Sequence, residues 1–182
     1  MWPESVIKRF KQVNIYGDEK EFYPPYNKLL CTQFPPDSEF TVAPVTYPIN
    51  TRESIDFVIE YVVCIDNYPI FILEIKAEKN LNLLSSRTNA DIQMRKRLLD
   101  LQDKCPINIL HGVSAFGNKI TFYAYDKNSN QILPKLIPEN LDSLVDTAPV
   151  ERWKYNILEN NTYIQMKQVF DNIKTDCSKL SF

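Results

Sequence analysis

Histidine is nearly absent from this chain. His111 is the only one in 182 residues, which excludes a His-based metal cluster and with it a phosphodiesterase of the His-metal type. No two of the four cysteines, Cys31, Cys64, Cys105 and Cys177, form a C-x-x-C pair, so zinc spacings and a disulfide framework are both excluded and reduced thiols are expected. No apolar run reaches the roughly 20 residues of a membrane span, because Asp56, Glu60, Asp66 and Glu74 interrupt the longest ones. The start, Met1-Trp2-Pro3-Glu4-Ser5, lacks a charged segment followed by an apolar one, so an intracellular protein of nucleus or cytoplasm is expected. The sequon Asn160-Asn161-Thr162 is then silent.

An excess of positive charge is missing as well. The net charge is −2 and the pI near 5.5, which excludes a protein that coats nucleic acid by bulk electrostatics. A local contact remains open: Arg87, Arg95, Lys96, Arg97 and Lys104 crowd one stretch against Asp91, Asp100 and Asp103. That stretch reads equally as a solvated helix face.

What is present, 44% hydrophobic and 24% charged residues, suffices for one core, so residues 1–182 read as a single domain. Val6, Ile7, Phe10 and Val13 recur at helical spacing. A second helix is predicted from Tyr23, where Pro24 and Pro25 suit a first turn. Phe40–Ile49, with Pro44 and Pro48, reads as an edge strand. Residues 55–65 and 68–76 are β-branched and aromatic runs on either side of Asp66-Asn67, the signature of a buried antiparallel hairpin. Asn89–Asp103 reads as an amphipathic helix in which Ile92 and Leu99 pack. Ile107–Leu110 and Ile120–Tyr125 follow as strands, with Gly112 to Gly117 as the turn between them. Pro149 opens a helical extension over about residues 147–176.

The chemistry concentrates on the hairpin. Glu74 and Lys76 leave one face of their strand, and Asp56 lies 18 residues before Glu74. A turn at Asp66-Asn67 places Asp56 about two residues beyond the position opposite Glu74, a diagonal neighbour at roughly 7 Å. A carboxylate and an ammonium on the apolar run Ile70-Phe71-Ile72-Leu73-Glu74-Ile75-Lys76 are costly unless paired or metal-bound. A surface Glu–Lys pair is the plainer alternative. Carboxylates suit Mg²⁺, and a lysine suits a metal-activated water.

The pattern Asp56-x17-Glu74-Ile75-Lys76 resembles the PD-(D/E)XK motif of restriction endonuclease-like nucleases. The resemblance implies an α/β fold: an αβββαβ core over about residues 20–125, with a mixed central sheet flanked by helices and extra C-terminal helices. It implies that Asp56 and Glu74 ligate Mg²⁺, with Mn²⁺ as a substitute, that Ile75 lends a backbone carbonyl, and that Lys76 is the catalytic lysine. Ile55 stands where proline is common. Gln93, on the helix after the Glu74 strand, is similar to the glutamine of RecB-like and λ-exonuclease-like branches, although Arg97 stands where those carry tyrosine. Glu21, with Glu19 behind it, is the candidate for a further acidic ligand, or else complements a helix dipole. The chain is also similar to compact fungal members related to crinkler-type effectors. The implied function is metal-dependent hydrolysis of DNA, or of RNA, by a monomer or a homodimer, with Arg87, Arg95, Lys96 and Arg97 on the nucleic acid. The alternative is an inactive nuclease-fold module binding nucleic acid or protein. Gly112-x4-Gly117 without a following Gly-Lys-Ser/Thr context is not a P-loop, and Ser114 misses a nucleophile elbow.

Overall fold

A computed structural model describes residues 1–48, 57–138 and 145–180, the stretches 46–48 and 57–60 by backbone alone. Asp56 and Ile55 lie outside the described residues.

The chain forms a mixed α/β fold. Two helices, α1 (Glu4–Lys11) and α2 (Tyr23–Gln33), precede three strands, β1 (Phe40–Pro48), β2 (Phe57–Ile65) and β3 (Tyr68–Lys76). Helix α3 (Leu84–Leu101) leads into β4 (Ile109–Phe116), β5 (Lys119–Asp126) and β6 (Gln131–Leu133). A two-residue β7 (Tyr155–Asn156) and helix α4 (Asn160–Cys177) close the chain. The strands lie in the order β1-β2-β3-β4-β5-β6, with β7 also on β5. Among the described residues only the β3–β4 pair is parallel, as expected where a helix makes the crossover. Pro44 and Pro48 fall on the β1 edge, where a missing N–H costs least.

The hairpin turn has positive φ at both Asp66 and Asn67, the conformation a tight two-residue β-turn demands. A β-bulge between Val63 and Cys64 then slips the register, so Glu60 is the Cα partner of Glu74. The bulge corrects the register expected opposite Glu74, while the place of Asp56 itself lies outside the described residues. Strand β3 is buried from Pro69 through Ile75, as a central strand covered on both faces should be.

Alternation along β3 divides the core. Phe71 faces α4, its ring 5.2 Å from that of Phe170, and Phe170 also meets Phe34 at the end of α2. Glu74 and Lys76 face α3, where Lys76 reaches Gln93. Helix α4 is thus part of the main core and not an appendage; α1 joins it, with Trp2 Nε1 donating to the Ile157 carbonyl at 2.9 Å.

Three sequence-based expectations change. The turn does not span Gly112 to Gly117: β4 runs through Gly112 to Phe116, and the turn begins only at Gly117. Gly112 is needed for close packing, since a Cβ there would lie 2.7 Å from Met94 Sδ. Helix α3 buries Arg87, Ala90, Asp91, Met94 and Leu98 and exposes Ile92 and Leu99, so its inward stripe is rotated from the one expected. The Pro149 signal opens a 3-10 turn, Val150–Trp153, with α4 starting only at Asn160.

The β4–β5 turn needs Gly117, which has φ +59° and whose missing Cβ leaves room for the Glu78 side chain. Glu78 Oε2 accepts from the Asn118 N–H at 2.9 Å, and the Tyr26 hydroxyl donates to the Gly117 carbonyl at 2.7 Å. Gly117→Ala is expected to cost at least about 2 kcal/mol, from left-handed strain plus displacement of Glu78. A urea unfolding midpoint unchanged from wild type would contradict this account of the turn.

Candidate functional site

The centre of the site is a charged triangle on an apolar strand. Glu74 is 1% exposed. Lys76 Nζ lies 3.1 Å from Glu74 Oε1 and donates to Gln93 Oε1 at 2.7 Å. Strand parity brings the first two together; the third comes from α3, in the crossover from β3 to β4. Such a carboxylate survives burial only because its charge is met. Ile75, between the two, is buried on the other face of the sheet, its backbone in register with Ala115 of β4.

The polar layer extends sideways. Glu60, Glu74, Ser114 and Thr121 are successive register partners across β2, β3, β4 and β5. Ser114 and Thr121 are buried, and Ser114 Oγ accepts from the Trp153 indole N–H at 3.2 Å. Sequence reading missed this row because its members are distant in the chain; only the strand register reveals it. Glu60 in particular was hidden by the bulge.

The acidic candidates before the hairpin have other engagements. Glu19 Oε1 accepts from the Tyr23 hydroxyl at 2.7 Å. Glu21 packs its carboxylate against Gly17, although its 3-10 turn, Glu19–Phe22, lies against β3. Among the described residues, no group of three or more His, Cys, Asp or Glu side chains comes together as a metal cluster.

The basic stretch is reassigned in part. Arg87 is buried, donating to the carbonyls of Ala148 at 2.7 Å and Leu81 at 3.0 Å and pairing with Asp146 at 2.7 Å. Arg95 pairs with Asp91 at 2.8 Å and donates to the Pro134 carbonyl at 2.6 Å. A guanidinium removed from water needs such partners, so these two arginines hold the protein together and do not form a free cationic face. Lys96 is exposed and Arg97 half-buried, one helical turn beyond Gln93.

Asp91 is a hub of its own. Besides Arg95 it pairs with Arg152, and it accepts from the Tyr123 hydroxyl at 2.6 Å. Burial first, then the Asp91 charge, pushes the Tyr123 phenol well up, so it donates as a neutral O–H.

Comparison with known proteins yields no match. No family model, curated protein or solved structure matches the chain. The site therefore stands on its own geometry. No helix among the described residues is long and apolar enough to cross a membrane.

His111 sits across the sheet from this site and is separate from it. Burial lowers its pKa from 6.5 to about 4, opposed by Asp176 of α4. The unfolded chain therefore binds a proton that the folded one refuses between those values. Stability from this residue is full above pH 6.5 and is lost as pH falls toward 4, by up to about 3 kcal/mol. Melting curves at pH 7 and pH 4.5 should show a smaller acid-induced drop for His111→Gln than for wild type; equal drops would contradict a half-buried neutral imidazole.

Proposed function

We propose that the chain is a metal-dependent nuclease with a restriction endonuclease-like core, hydrolysing phosphodiester bonds at Glu74 and Lys76. One observation carries the reading: a buried strand in an α/β sheet holds a carboxylate and an ammonium on one face, and a glutamine from the crossover helix fixes the ammonium. The strand order, with a helix crossing from β3 to a parallel β4, supports it. The donors available here, the Glu74 carboxylate and backbone carbonyls, are hard oxygens that fit Mg²⁺ or Mn²⁺. Glu74 and Asp56 would hold the ion, with Ile75 lending its carbonyl. When bound, it would polarise the phosphoryl oxygen and acidify a water.

The protein's own part follows from donor counting. The Lys76 ammonium has three N–H groups. One goes to Gln93 and one faces Glu74, which leaves the third for the attacking water or a non-bridging phosphate oxygen. Gln93 keeps Lys76 aimed; Glu74 neutralises it in the absence of substrate. Lys96, exposed on α3, supplies a basic contact that the DNA or RNA backbone would meet, with Arg97 beside it on the same helix.

The test is nicking of supercoiled plasmid, with single-stranded DNA and RNA in parallel, in Mg²⁺ or Mn²⁺ against EDTA. Metal-dependent cleavage that disappears in Glu74→Gln is expected. Wild-type protein that neither nicks nor is thermally stabilised by either ion would leave Glu74 and Lys76 as a structural pair in an inactive module.

A further inference from the structure

The outer edge of β5 has a gap. Strand β7 pairs with Lys119 and Ile120, and β6 with Ala124 to Asp126, so among the described residues no strand pairs with Thr121 to Tyr123 on that side, where the 3-10 turn Val150–Trp153 packs against β5 instead. The direction of the backbone groups there can be counted. The Ile157 N–H donates to the Asn118 carbonyl and the Lys127 N–H to the Asn108 carbonyl. Even-numbered residues of β5 therefore bond outward and odd-numbered ones toward β4. Phe122 aims its N–H and C=O together into the gap, the one such pair between Ile120 and Ala124. Around it lies a cleft of about 460 Å³, lined by Leu133, Glu151, Arg152, Lys154 and Tyr155. The Tyr155 ring meets the Phe122 ring edge-on at 5.4 Å, and Lys154 Nζ stands 5.2 Å from the Tyr155 ring centre.

We infer that this cleft binds a nucleobase, its hydrogen-bonding edge on the Phe122 backbone pair and its phosphate side toward Lys154. Three features select that ligand. An adjacent N–H and C=O match the adjacent acceptor and donor that every nucleobase edge presents. The slot from Ile120 to Ala124 is only about 14 Å long and offers a single open pair, whereas an added peptide strand draws on a row of them. The walls are aromatic and the rim cationic, the combination that holds a base and its phosphate. Arg152 is committed to Asp91 and to the Lys135 carbonyl, which leaves Lys154, exposed, as the cation for phosphate against the single charge of Glu151.

The cleft is also placed to serve the proposed catalytic centre. Thr121 lies on its wall and is two register steps from Glu74 through Ser114, about 10 Å at the strand spacing, within the reach of a dinucleotide. This connection rests on the nuclease reading; the cleft's affinity for a base does not.

The experiment is an ¹⁵N–¹H titration of the full chain in EDTA, so that cleavage plays no part, with AMP, CMP, adenosine and ribose 5-phosphate as probes. AMP, CMP and adenosine are expected to shift the Phe122 amide saturably, while ribose 5-phosphate leaves it in place. Lys154→Glu should weaken AMP by about three- to tenfold and leave adenosine unchanged. A tetranucleotide that binds more tightly than AMP and also moves the Gln93 side-chain amide identifies a strand base as the ligand; one that binds no better identifies a free nucleotide. A Phe122 amide unmoved by AMP, moved equally by ribose 5-phosphate, or moved more strongly by a glutamine-containing peptide overturns the inference. Absence of plasmid nicking alone would not, because the titration requires no chemistry.

Discussion

Replacing Asp91 with alanine is expected to lower the unfolding free energy by about 3–5 kcal/mol, the cost of leaving buried cations without their counter-charge. Arg95 and Arg152 both converge on this carboxylate, and Tyr123 donates to it. Both guanidiniums are largely buried, with 12% and 7% of their side chains exposed, so water cannot replace Asp91. Two remote segments depend on it, since Arg152 comes from the turn before β7 and Arg95 also clasps the Pro134 carbonyl. The effect is a broken network and not a lost contact: Asp91→Leu combined with Arg95→Met and Arg152→Met should recover most of the loss, because an apolar replacement of a whole buried ion cluster is often neutral. Chemical denaturation of the single and triple variants decides the matter. A single variant within about 1 kcal/mol of wild type would mean that the cluster is solvated.

The second large effect is kinetic and rests on the proposed nuclease activity, within which it tests the division of labour between Glu74 and Lys76. Lys76→Met should reduce cleavage by about 10²–10⁴-fold, the range for removing a group that handles a proton or a developing charge. Metal affinity should be retained, because an ammonium repels a cation. Glu74→Gln should lose cleavage and metal binding together. Its shape is conserved and Lys76 remains held by Gln93, so the variant should fold, yet lack the Mg²⁺-induced rise in melting temperature that a native-state ligand confers. If Lys76→Met abolishes the Mg²⁺ shift and Glu74→Gln keeps it, the roles are reversed.

The elements that were legible in the sequence are those whose signal is local. The Pro24-Pro25 start of α2, the Asp66-Asn67 turn and the runs beside it are short-range matters of backbone sterics, and the structure has them where the residues placed them. Glu74 and Lys76 on one face were readable from strand parity; Gln93 beside them was expected from the family resemblance and from a packing of Ile92 and Leu99 that the structure does not have. What could not be read depends on tertiary contact. Gly112 looks like a turn residue until Met94 is packed against it. Arg87 and Arg95 look like surface charges until Asp146 and Asp91 come to meet them. Strand β6 has three residues, too few for a period. The bulge at Val63 and Cys64 carries no composition signal, yet by shifting one register step it set Glu60 opposite Glu74.

The clasp between the chain's beginning and end bears on the order of assembly. Trp2 is bonded to Ile157 and stacked edge-on with Tyr163, while Phe170 fills the space between Phe34 and Phe71. During synthesis the face of β3 that carries Phe71 therefore lacks its α4 cover until that helix has emerged. Contacts this distant in sequence slow folding and leave apolar surface open to other chains in the meantime. A nascent chain that stalls before α4 would leave Phe34, Phe71 and Trp2 without the Phe170 and Tyr163 rings that pack against them.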